Sequence, residues 1–186
     1  TDPYEATQGA DVLAVLTEWP EFKELSFERV AEVIGTKAVV DARNLLDRDG
    51  ALSAPQATYD FPGATCISVN EEIAHGIPGN RVIKPGDLVN IDVSASKNGY
   101  FADTGATFRV GQMHPTLDKL CRDGKRAMQI GIAQVGSDKP LAGIGKAIGQ
   151  FAADRGYTLI RNLASHGVGR ALHEYPEEIA TWPNRS

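Results

Sequence analysis

Cysteine is scarce: Cys66 and Cys121 are the only two, too few for a disulfide framework. Two reduced thiols in a cytoplasmic protein are the expectation. No apolar run approaches the ~20 residues of a membrane-spanning helix, so no membrane partner is expected. Positive charge is not in surplus. The 19 Lys and Arg stand against 24 Asp and Glu, a net charge of −5. That balance lacks the global basic signature of nucleic-acid binding. No G-x-G-x-x-G occurs, so no NAD site is expected. The first residue is Thr rather than Met, as expected of a fragment boundary, and nothing resembles a signal peptide. Internal repeats and low-complexity tracts are absent. What remains is 186 residues, 42% of them apolar, enough for one ordinary domain or two small ones.

The chain opens with a βαβ pattern. "GADVLAVLTEW" holds an apolar run from Val12 to Leu16, as in a strand buried on both faces. Ser26 is a candidate N-cap for a helix carrying Phe27, Val30, Val33 and Ile34 on one face, with Gly35 able to end it. "KAVVDARNLL" reads as a second strand. Between Gly50 and Gly63 periodicity fades, which predicts a loop and a domain boundary near Asp49–Gly50. "ATCISVNEEIAHGIP" begins as a strand. Two helices are expected later, from Thr116 to about Val135 and over "LAGIGKAIGQFAADRG", where Leu141, Ile144, Ile148 and Phe151 share a side. "YTLIRNL" reads as a short strand and "SHGVGRALHEYP" as a Gly-rich turn.

The chemistry concentrates in "NIDVSASKNGYFADT". Val89, Ile91 and Val93 alternate with Asn90, Asp92 and Ser94, and Asn98-Gly99 is a strong two-residue hairpin signal. In that register Lys97 faces Tyr100 and Asp103 faces Ser94. Asp92 and Asp103 then emerge on one face as diagonal neighbours, with Cβ atoms roughly 7 Å apart. Converging carboxylates pair with cations, share a proton or hold a metal; alternatively the polar face is simply solvated. Histidines add nitrogen donors: His166 in "HGVG", His173 seven residues later and His75 in "AHGIP". Hard oxygens with an imidazole describe a hydrolytic Mn, Fe, Co or Zn site. His114, in "GQMHP", reads as a surface loop residue without a role.

"FPGATCISVNEEIAHGIP", "GDLVNIDVSASKNGYFADTGATFRVG" and "SHGVGRALHE" together resemble type I methionine aminopeptidases, from about Gly50 onward. The resemblance implies the mixed α/β pita-bread fold, incomplete here, and divalent-metal removal of methionine from peptide N-termini. It implies Asp92, Asp103 and His166 as metal ligands and His75 and His173 as substrate-side histidines. It places Phe61 and Cys66 in the methionine pocket. Ser165 stands where the family usually has Gly. The family's two Glu ligands fall on later strands, beyond Ser186, and Glu174, Glu177 and Glu178 do not sit in their context. The expectation is therefore a centre with one metal or none and little or no peptidase activity. The alternatives are a metalloaminopeptidase completed by another chain and a non-catalytic scaffold that dimerises through unfilled sheet edges.

Residues 1–49, through "LTEWPEF" and "DARNLLD", resemble the UDP-binding domain of UDP-glucose dehydrogenases. That likeness implies a chimera of residues 1–49 with residues 50–186. It makes Arg43 a candidate UDP-sugar contact, with pairing to Asp41 or Asp47 as the alternative.

Overall fold

The structure, a computed structural model, describes residues 2, 4–5, 8, 13–15, 26–33, 39–41, 50–112 and 114–184. Two compact units emerge, Thr1–Ile83 with Asp87–Phe108, and Lys84–Gly86 with Arg109–Ser186. The division does not fall at Asp49–Gly50. Both units mix helices and strands, as expected.

In the first unit, β1 (Leu13–Val15) pairs in parallel with β2 (Val39–Asp41), and α1 (Phe27–Val33) lies between them in sequence. This is the anticipated βαβ order. Ser26 does cap α1: its Oγ accepts from Arg29 N at 3.2 Å. Val30 is buried at 1% exposure. Tyr4 closes over the helix start. Its OH accepts from Ser26 N at 3.0 Å, and the Arg29 guanidinium lies 4.0 Å from its ring centre. Ile34, Gly35 and Arg43 lie outside the described residues.

The segment expected to be a loop instead forms β3 (Leu52–Ser53) and α2 (Ala54–Tyr59). Six helical residues are too few to display a period, but the capping chemistry is complete. Ser53 Oγ accepts from Gln56 N, Pro55 occupies the first turn, and Asp60 ends the helix in the left-handed region at φ 53°.

The main sheet is built around β5 (Leu88–Lys97). β6 (Tyr100–Arg109) returns along it from the hairpin, while β3 and β4 (Cys66–Val69) pair antiparallel with its two ends. Asn98 and Gly99 both have positive φ, 54° and 78°, the signature of the type I′ turn that Asn-Gly favours. Side chains confirm the anticipated register: Asn90 Nδ2 donates to Thr107 Oγ1 at 3.1 Å and Ser94 Oγ to Asp103 Oδ1 at 2.9 Å. Ile67, Val69, Val89 and Ile91 form the apolar core of the sheet.

The second unit holds α3 (Pro115–Ile132), α4 (Ala142–Asp154), β7 (Ser165–Gly167) and β8 (Glu174–Ile179). His114 is the N-cap of α3, its Nδ1 accepting from Leu117 N while Asp118 Oδ2 accepts from His114 N. Ile144, Ile148 and Ala152 are the buried stripe of α4. Leu141 does not join them. It sits at the N-cap, one residue before the helix begins, and is 46% exposed. The expected strand over residues 157–163 is not formed. Tyr157 is instead tied by its OH to Lys119 and Asp123, and Ile160 and Leu163 are exposed. The turn around the two histidines closes as an antiparallel β7–β8 pair, with Ser165 opposite Ile179 and Gly167 opposite Glu174. Among the described residues no helix is long and apolar enough to cross a membrane.

Candidate functional site

The candidate residues lie on two local frameworks, one in each unit. On the first, Asp92 and Asp103 project from β5 and β6 onto one face. Asp92 stands opposite Gly105, whose position a Cβ would occupy 3.5 Å from Asp92 Oδ1. Asp103 stands opposite Ser94 and accepts its hydroxyl proton at 2.9 Å. Across the other edge of β5, Cys66 pairs directly with Asp92 and Ser68 with Asn90, so both share the carboxylate face. That face is not a solvated surface. Cys66 and Ser94 are each 8% exposed, Ser68 is 1% exposed, and both carboxylates are half-buried.

The two acids are felt locally. Burial pushes the Cys66 thiol up to about 11, and the negative charges of Asp92 and then Asp103 push it the same way. Cys66 is therefore a neutral thiol at physiological pH and not a nucleophile. Phe61 follows the α2 cap, half-buried, its N donating to Pro55 O at 3.3 Å.

His75 has a left-handed backbone, φ 56°, unusual for a non-glycine residue. Its conformation is held from the next residue. Gly76 O accepts from Ile67 N at 2.9 Å and Gly76 N donates to Ser68 Oγ at 3.0 Å. A Cβ at Gly76 would stand 2.2 Å from Ile67 O, so only glycine permits this approach. Sequence reading passed over Ser68. Its signal was its spacing, two residues beyond Cys66 and so on the same strand face.

On the second framework, His166 and His173 are brought together. Their ring centroids are 3.8 Å apart at an interplanar angle of 37°. His166 lies on β7, its Nδ1 3.0 Å from Gly167 O, and His173 immediately precedes β8. Gly167, the residue after His166, faces the start of β8. A Cβ there would stand 2.6 Å from Glu174 O and Tyr175 O, so Gly167 lets the partner strand approach. Arg43 lies outside the described residues. Among the described residues no three His, Cys, Asp or Glu side chains form a ready-made metal cage.

A model described as metallopeptidase family M24 matches residues 21–186. The chain is 48% identical over 139 residues to methionine aminopeptidase 2 of Bacillus subtilis (strain 168), covering 74% of this chain and 56% of that protein. It is 50% identical over 142 residues to the methionine aminopeptidase of Staphylococcus epidermidis (strain ATCC 12228), covering 76% of this chain and 57% of that protein. The crystal structure of methionine aminopeptidase from Rickettsia prowazekii superposes with a TM-score of 0.72 at 30% identity, over 86% of this chain and 61% of that one. The shared architecture is the pita-bread fold. The chain spans little more than half the length of the curated relatives it matches. The family match also runs back to residue 21, through most of the segment read as a dehydrogenase fragment. The joined-fragment expectation has no support in these matches and is withdrawn.

Proposed function

Because the chain belongs to metallopeptidase family M24, we propose, against the expectation of little or no activity, that it acts as a metal-dependent aminopeptidase that releases methionine from peptide N-termini. The observation that carries this reading is the half-buried carboxylate face, where Asp92 and Asp103 emerge together beside Cys66. Near-half identity to methionine aminopeptidases supports the choice of substrate.

The donor set suits a divalent metal such as Mn, Fe, Co or Zn. Asp92 and Asp103 supply hard oxygens, and the Ser94 hydroxyl orients Asp103. The likeness to methionine aminopeptidases makes His166, in the other unit, a further candidate donor. The chemistry a bound metal would contribute is Lewis-acid polarisation of the scissile carbonyl and activation of water. His75 and His173 hold the peptide and offer hydrogen bonds to charge that develops on it. Phe61 and the protonated Cys66 thiol present an uncharged, polarisable surface to a thioether side chain.

The test is hydrolysis of Met-Ala-Ser peptides with added Co or Mn, alongside metal stoichiometry of the purified chain. Turnover abolished by Asp92→Ala and by His166→Ala is the expected result. No turnover with either metal, or turnover indifferent to both substitutions, would overturn the proposal.

A further inference from the structure

Glu174 is the residue after His173, and sequence reading set it aside as out of context for a metal ligand. Its surroundings give it another task. Its backbone pairs with Gly167, the residue after His166, so the two histidines precede directly opposed partners. Its side chain folds back over the connecting loop, where Oε2 accepts from Arg170 N at 2.8 Å and from Ala171 N at 3.1 Å. Gly169 N donates to Ala171 O at 3.2 Å, tightening the same turn. Gly169 lies against the carboxylate, where a Cβ would stand 2.4 Å from Oε1. Leu172, in the same loop, is buried at 4% exposure.

A carboxylate accepting two main-chain N–H groups is a charge-assisted clamp, stronger than neutral hydrogen bonds. We infer that Glu174 is a positioning residue. By fixing the loop of residues 168–173 against β8, it holds the His173 ring 3.8 Å from that of His166. The clamp orders the imidazoles before any ligand arrives, so their orientation is not left to the loop's own entropy. The inference rests on the reading above only for what the two histidines do, not for how they are held.

Imidazole proton signals of the full chain, recorded by NMR without added metal or peptide, test it. Aromatic rings this close shift each other's signals. Glu174→Ala should remove those mutual shifts from His166 and His173 while His75 and His114 keep theirs. Glu174→Gln, whose amide oxygen can still accept both N–H groups, should restore them. Gly169→Ala, which displaces the carboxylate without removing it, should reproduce the loss and thereby cover the case in which Glu174→Ala fails to fold. Unmoved His166 and His173 signals in folded Glu174→Ala, or equal movement of all four histidines in Glu174→Gln, would overturn the inference. A chain without aminopeptidase turnover would defeat the functional reading and leave this test standing.

Discussion

Cys66 stands directly opposite Asp92 across the β4–β5 ladder, with 8% of its surface exposed. The pairing places a thiol under two carboxylates and makes its ionisation a probe of the site. Burial, then Asp92, then Asp103 push the thiol from its ordinary 9.0 up to about 11. Iodoacetamide labelling of Cys66, separated from Cys121 by mass spectrometry, should therefore be slow at pH 7.5 and rise with a midpoint near 11. Asp92→Asn should lower that midpoint. Because the folded value lies above the unfolded one, the linked stability is complete below about pH 9 and is lost as pH rises through 11. Labelling of Cys66 at neutral pH as fast as a free thiol would refute the arrangement.

Ser94 is buried on the carboxylate face and gives its hydroxyl proton to Asp103. Hydrogen bonds to charged groups contribute about 1.5–3 kcal/mol, and the half-exposure of Asp103 puts this one at the low end. Ser94→Ala should lower unfolding stability in urea by that amount with an unchanged slope. Metal affinity should fall as well, since Asp103 loses the group that orients it. Stability and metal affinity both equal to those of the parent protein would show that the bond contributes nothing.

Much of this was legible in advance, for reasons that differ by residue. Asn98-Gly99 dictated the turn, the turn dictated the register, and the register placed Asp92 and Asp103 on one face. Ser26 announced α1, and the 3.6-residue spacing of Ile144 and Ile148 announced α4. What escaped depended on contacts that no period encodes. The α2 helix is a cap-to-cap structure six residues long, and its signals were Ser53 and Asp60 rather than apolar spacing. The stretch 157–163 has strand-like residues, but strand propensity reflects a partner to pack against, and Tyr157 is committed to α3 instead. Glu174 acts through main-chain N–H groups three and four residues away, which leave no trace in residue type.

Asp123 gathers three partners in the second unit. Lys119 Nζ donates to it at 2.8 Å, Tyr157 OH at 2.9 Å, and Arg155 Nε lies 3.4 Å away. The Lys119 hydrogen bond, with help from Tyr157 and the charges of Lys119 and Arg155, holds the Asp123 carboxyl below its ordinary range. A depressed carboxylate contributes stability that is present above its unfolded pKa and lost as pH falls through the folded one. Thermal melts should show the parent protein losing stability in acid, while Asp123→Asn starts lower at neutral pH and falls less steeply. Identical acid limbs in the two proteins would remove Asp123 from the account.

Two helical glycines should respond oppositely to the same substitution. Gly124 lies inside α3, exposed, and a Cβ there would meet nothing within 4 Å. Gly124→Ala should stabilise the protein by about 1 kcal/mol through helix propensity alone. Gly145 lies inside α4, where a Cβ would stand 2.1 Å from Trp182 O and 2.8 Å from Ala180 O. Both are backbone atoms, so the strain cannot be relieved by rotating a side chain. Gly145→Ala should destabilise by about 1–3 kcal/mol, the usual cost of overpacking. Urea denaturation of the two variants checks both signs in one experiment. A stabilising Gly145→Ala would mean that the segment after β8 does not pack on α4 as described.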